Sequence, residues 1–300
     1  MNLNAVLLVV TSGVIHATWN YLAKSSNDKL SFLWAVKVIS ILLLTPIFAY
    51  RLIGSSIIPQ AETSVLHLLL LGFASGFVHF LYSYFLSQAY EYGDISFSYP
   101  IARGSAPFIV ALFSYLFLAE TPSIFGLAGM VLVASGLVFL VKSRRLETEV
   151  GNGRSESTLS LSLKNPLLFA SLTALMIAIF VLLDGTGSRV YTPLVFMYFY
   201  SLVSTVLLTF LIFRYPGKIY RELNQNLMSI LGAGVMMPLS YLLALHAMRL
   251  TQLGYVASLR NISVVFATFL GISQLEESFT LTRIFGSLVV FAGALAFGLS

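Results

Sequence analysis

The chain has 300 residues, of which 58% are hydrophobic and only 10% charged, with a net charge of +5 and no cysteine. Soluble domains average about 45–50% apolar and about 25% charged residues, so this balance excludes a water-soluble globular fold. The missing cysteines remove disulfide frameworks, thiolate metal sites, thiol catalysis and S-acylation, and the lack of a basic stripe removes nucleic acid as a partner.

Apolar runs predict helices over 5–23, 31–50, 64–90, 95–118, 123–141, 166–183, 192–213, 226–248, 253–274 and 281–299, each close to the roughly 20 residues a membrane span requires. The runs are continuous and do not alternate apolar with polar, which excludes an outer-membrane barrel. The first run has no basic flank and carries His16, Trp19 and Asn20, unlike a cleaved signal peptide. Between the fifth and sixth runs, residues 142–164 have linker composition, including Gly151-Asn152-Gly153-Arg154-Ser155.

That linker divides two similar halves, 1–141 and 165–300. A shift of 157 residues superimposes Ser83-Tyr84 on Ser240-Tyr241, Arg103 on Arg260, Glu120 on Glu277, Gly129 on Gly286 and Gly136 on Gly293, without a gap. An odd number of helices per repeat sends the second half through the bilayer upside down, so the expected fold is all-α and integral to the membrane, with ten transmembrane helices in two inverted five-helix repeats. In that arrangement the connections sort into two sets. One carries eleven Lys and Arg, among them Lys24, Lys29, Lys142, Lys164, Arg214, Lys218 and Arg283; the other carries Arg51, Arg189 and Arg249. The bias predicts that the first set is cytoplasmic and both termini are outside.

An ionisable side chain inside a span is costly and marks a pathway or a buried pair. Lys37, Arg103 and Arg260 are such residues, and the sequence places no Asp or Glu at comparable depth. A cavity with cations and no carboxylate suits anionic groups, which the planar Arg fork matches. Arg103 and Arg260 have an alternative role as repeat-related pins bonding helix-end carbonyls or the glutamates, whereas Lys37 has no cationic counterpart and is the favoured substrate contact. Spacings of three and four align Ser12, His16, Trp19 and Asn20 on one face of the first helix, and Ser75, His79, Tyr82, Ser83 and Tyr90 on one face of the third. Such faces point into the bundle or a wet cavity. His16, Trp19, Asn20, His79 and Tyr82 are therefore expected to shape a substrate site, the histidines as solute ligands or proton relays, or simply as hydrogen-bonded interior residues. Glu120 and Glu277 follow their arginines by 17 residues, about 26 Å along a helix, and are expected to be structural, accepting hydrogen bonds from the start of the next helix. No nucleophile elbow, phosphate loop, HExxH or acidic metal cluster occurs, so neither an enzyme nor a bound cofactor or metal is expected.

The segment Tyr99-Pro100-Ile101-Ala102-Arg103-Gly104-Ser105-Ala106-Pro107, together with the Glu120 and Glu277 endings, Gly129 and Gly286 beyond them, and the ten-run repeat, resembles the EamA-type exporters of the drug/metabolite transporter superfamily over nearly the whole chain. His16-Ala17-Thr18-Trp19-Asn20 followed by Lys24 is similar to a subgroup associated in part with phosphonate use. The resemblance implies solute export or exchange across a bacterial cytoplasmic membrane by alternating access. The small multidrug relatives carry a glutamate in their first helix; this chain has none there, which sets it apart from proton-coupled export of cationic drugs. The expected partners are a small anionic or zwitterionic solute (an amino acid, organic acid or phosphonate), the lipid bilayer and a coupling proton. The competing readings are a cationic multidrug exporter and an intramembrane enzyme or flippase acting on lipid-linked substrates.

Overall fold

The computed structural model describes residues 3–54, 65–106, 108–109, 123–150, 165–250, 256, 259–275, 277 and 280–298. They form α1 (Leu3–Ser25), α2 (Lys29–Gly54), α3 (Val65–Tyr92), α4 (Ile95–Gly104), α5 (Ile124–Val150), α6 (Pro166–Val190), α7 (Pro193–Ile212), α8 (Pro216–Leu250), α9 (Ile262–Gln274) and α10 (Leu281–Gly298). Helix starts follow local chemistry. Asn165 accepts from the Leu167 N–H ahead of Pro166, and Pro193 opens α7, proline being preorganised for the first helical turn. Asp28 accepts from the Ser31 N–H at the start of α2.

Three helices depart from the expected bounds. α5 runs on to Val150, beyond the expected linker start at 142, because Lys142 to Val150 contains strong helix formers such as Lys, Arg, Leu and Glu. α6 runs on to Val190 rather than ending at 183. α8 begins ten residues early, at Pro216, and bends at Asn226, where φ is −124° and ψ 20°. The polar segment before that bend buries Ile219 and Glu222 and leaves its basic residues in water, so no apolar run betrays it. Among the described residues seven helices are long and apolar enough to cross a membrane, while α4, α9 and α10 are shorter. Parts of the expected spans 95–118 and 253–274, and Glu120 itself, lie outside the described residues.

Each half packs mainly on the other, and the contacts occur in swapped pairs. α3 lies on α6 as α8 lies on α1; α3 lies on α7 as α8 lies on α2; α4 lies on α6 as α9 lies on α1. α5 meets α10, α2 meets α7 and α4 meets α9, each with its own counterpart. This is the contact pattern of an inverted repeat.

Turns at one end of the bundle are joined across the halves. Lys218 pairs with Asp28 at 2.9 Å, Glu222 accepts from the Asp28 N–H, and Arg283 reaches Asp94 and Ser96, while within the first half the Lys24 ammonium donates to the Tyr90 and Gly93 carbonyls. Burial pushes the Asp28 carboxyl up, but hydrogen bonds from Ser31 and Lys218 outweigh it and hold the group below its ordinary value. A depressed carboxyl stabilises the fold above its unfolded pKa, and that contribution is lost as pH falls through the folded one.

Glu277 occupies a different place from the one expected. Its carboxylate accepts from the N–H groups of Ile95 at 2.7 Å and Ser96 at 2.9 Å and from the Ser96 hydroxyl, so it caps α4 of the first half, and among the described residues it makes no bond to α10. Inversion brings the end of α9 beside the start of α4, and Gly271 leaves the room: a Cβ there would stand 2.5 Å from Glu277 Oε2. Glu277→Ala removes a charged cap and strands these donors, and should cost about 2 kcal/mol. Thermal unfolding in detergent checks it, with Glu277→Gln expected between Ala and wild type.

Candidate functional site

A cavity lies between the halves, lined from α1, α2, α3, α4, α6, α7 and α8 and by Arg260 just ahead of α9. The cavity volume is about 60 Å³. One ordered water needs roughly 10–15 Å³ on that scale, so the space suits a few waters or a small solute.

Of the expected site residues, Lys37, Arg103, Arg260, His16, Trp19, His79 and Tyr82 all line this cavity. The inverted repeat explains why residues so far apart in sequence meet, since Arg103 with Arg260 and Ser83 with Ser240 reach the same space from opposite halves. Asn20 does not line it. Its amide donates to the His16 carbonyl and its Oδ1 accepts from the Tyr90 hydroxyl, which makes it a brace between α1 and α3. It shares a helix face with His16, but its side chain is turned to Tyr90 rather than to the cavity.

Lys37 and Arg103 are 6% and 5% exposed. Among the described residues neither makes a hydrogen bond or ion pair, and Arg103 Nε is buried without a partner. Arg260 is engaged: its guanidinium lies 5.1 Å from the centre of the Tyr241 ring and 3.3 Å from His16 Nδ1. The Trp19 indole N–H donates to the same Nδ1 at 3.1 Å. Both of these neighbours are donors only, so a neutral His16 carries its proton on Nε2.

The walls show how the helices hold this shape. Pro238 has no N–H, which frees the Gly234 carbonyl one turn earlier, and the Ser40 hydroxyl donates to that carbonyl at 2.8 Å. Ser12 similarly donates to the Ser240 carbonyl. Both contacts join the halves at the cavity edge.

One charged residue here contradicts the sequence expectation of no deep carboxylate. Asp184 is 0% exposed, accepts from Ser75 and Tyr241, and lies 2.8 Å from His79 Nε2. His79 in turn is stacked between Phe180 and Tyr200, with ring centroids 4.3 Å away on each side. A sequence signal existed. Thr173, Ile177, Phe180, Asp184 and Ser188 are buried at helical spacing along α6, but Asp184-Gly185-Thr186-Gly187 has the look of a turn. In this bundle Gly187 is instead a packing site, where a Cβ would stand 2.4 Å from the Phe196 ring.

With this geometry in place, the sequence profile described as EamA-like transporter family matches residues 3–142 and 164–299. The chain belongs to the EamA-like transporter family. It is a multi-pass membrane protein of the drug/metabolite transporter superfamily, with the general secondary-transporter function of that family. A crystal structure described only as that of a protein matches with a TM-score of 0.67 and 15% identity, over 100% of this chain and 98% of its own; at that identity the likeness shows the fold. No curated protein matches in sequence. Among the described residues no group of three metal-ligating side chains occurs.

Proposed function

We propose that this EamA-family chain is a secondary transporter, an exporter or exchanger, for a small anionic or zwitterionic metabolite such as an amino acid, organic acid or phosphonate. The observation that carries this reading is the pair of buried cations, Lys37 and Arg103, that line the interrepeat cavity without a hydrogen-bond or ion-pair partner among the described residues. Leaving such charges unpaired in a low-dielectric interior costs several kcal/mol per ion, and an anionic solute offsets that cost. His79, open to the cavity and backed by Asp184, supports a coupled proton. All ten helices cross the cytoplasmic membrane in this reading, and rocking of one half against the other exposes the site alternately. The basic connections gathered with the Asp28–Lys218 end of the bundle face the cytoplasm, with both termini outside.

The test is thermal stabilisation of the detergent-purified protein by candidate solutes, followed by counterflow in proteoliposomes. A ligand at 100 times its dissociation constant adds about 2.7 kcal/mol of stability. Lys37→Met should lower apparent affinity for the stabilising anion at least about tenfold, the equivalent of 1.4 kcal/mol, while the protein stays folded. An unchanged affinity removes Lys37 from the site, and stabilisation by cationic dyes alone returns the protein to multidrug export.

A further inference from the structure

The charges around the cavity narrow the substrate further than "anionic or zwitterionic". Lys37, Arg103 and Arg260 line the space, and among the described residues no Asp or Glu does. The carboxylate behind the wall, Asp184, is already occupied: Ser75 bonds one oxygen, and His79 and Tyr241 bond the other. Three cations against one carboxylate leave two positive charges uncompensated. Lys37 of α2 and Arg103 of α4, on separate helices, make no hydrogen bond or ion pair among the described residues, whereas Arg260 touches His16 and the Tyr241 ring, neither of which cancels its charge.

We propose that the cavity takes a small dianion lacking an ammonium group: two carboxylates on a short carbon chain, or one doubly ionised phosphorus acid. This rests on the anion-transport reading and sharpens it. A monoanion neutralises one cation and leaves another buried and unpaired, which is costly. A zwitterion is worse placed. Among the described residues its ammonium finds no free carboxylate, only aromatic faces and hydroxyls beside three like charges, and juxtaposed like charges are strongly disfavoured. The neutral His16 adds to the match, since its Nδ1 is taken by Trp19 and Arg260 and its remaining polar atom is an N–H donor. The small volume limits the dianion to a few heavy atoms beyond its acidic groups.

The experiment measures stabilisation of the full-length protein in detergent at constant ionic strength, at a pH where methylphosphonate is doubly ionised. The probes are malonate, succinate, methylphosphonate, acetate, glycine and tetraphenylphosphonium. Malonate, succinate or methylphosphonate should raise the unfolding midpoint at concentrations at least about tenfold below those at which acetate or glycine act, and whichever does so names the kind of dianion. Lys37→Met and, separately, Arg103→Gln should erase the preference, so that the dianion binds no more tightly than acetate. The wild-type series decides the matter even if one variant fails to fold. Glycine binding as tightly as the dianions overturns the dianion proposal and leaves the anion-or-zwitterion reading standing. Response to tetraphenylphosphonium alone, or to none of the anions, overturns both.

Discussion

Asp184→Ala should lower stability by about 3–5 kcal/mol, the largest loss of any single change at the cavity wall. The carboxylate is fully buried and satisfies three groups at once, the Ser75 and Tyr241 hydroxyls and the His79 ring N–H. Truncation leaves all three without their acceptor in a largely buried wall, and an unmade buried hydrogen bond costs about 1–3 kcal/mol. It also removes the carboxylate that, among the described residues, stands nearest to balancing Lys37, Arg103 and Arg260, so that their mutual repulsion rises. Asp184→Asn keeps the shape and one oxygen acceptor but not the charge, and should lose roughly half as much. The measurement is the thermal or denaturant midpoint in detergent, with Trp19 and Trp34 as reporters. An Ala variant within about 1 kcal/mol of wild type would mean that these bonds contribute little and that the cavity cations are balanced elsewhere.

Asp184 also shows where reading a sequence stops. The apolar runs, the interval between the halves and the cations Lys37, Arg103 and Arg260 are all visible in the chain, because hydropathy and the cost of intramembrane charge act on each residue regardless of its neighbours. What is not visible depends on partners. Asp184-Gly185 looks like a turn until Phe196 is known to need the space at Gly187. Helical spacing puts Asn20 on the face of His16 but carries no information on its partner, the Tyr90 hydroxyl of α3. Glu277 caps α4, a contact created by inversion and unrelated to chain proximity. The segment from Pro216 to the bend at Asn226 is held by Asp28 and Asn27 of the other half, so its helix depends on contacts that hydropathy does not register.

Gly136→Leu and Gly293→Leu should each prevent recovery of folded protein, and the milder Gly136→Ala and Gly293→Ala should cost similar amounts, about 1–3 kcal/mol. In membranes small residues let helix backbones approach closely, and here the approach is duplicated. A Cβ on Gly136 would stand 2.6 Å from Val290 Cγ2 and 2.8 Å from both the Gly286 carbonyl oxygen and the Val290 nitrogen. A Cβ on Gly293 would meet Val133 Cγ2 at 2.8 Å, the Gly129 oxygen at 2.9 Å and the Val133 nitrogen at 2.7 Å. The 157-residue shift exchanges the two sets atom for atom, so a pseudo-twofold axis passes between α5 and α10. Backbone atoms cannot swing aside, and only separation of the two helices relieves either clash. The same separation relieves both. The double Ala variant should therefore lose clearly less than the sum of its parts, a coupling of at least about 0.5 kcal/mol that denaturant titration of the four proteins can resolve. Strict additivity would instead place the two glycine sites on surfaces that yield independently.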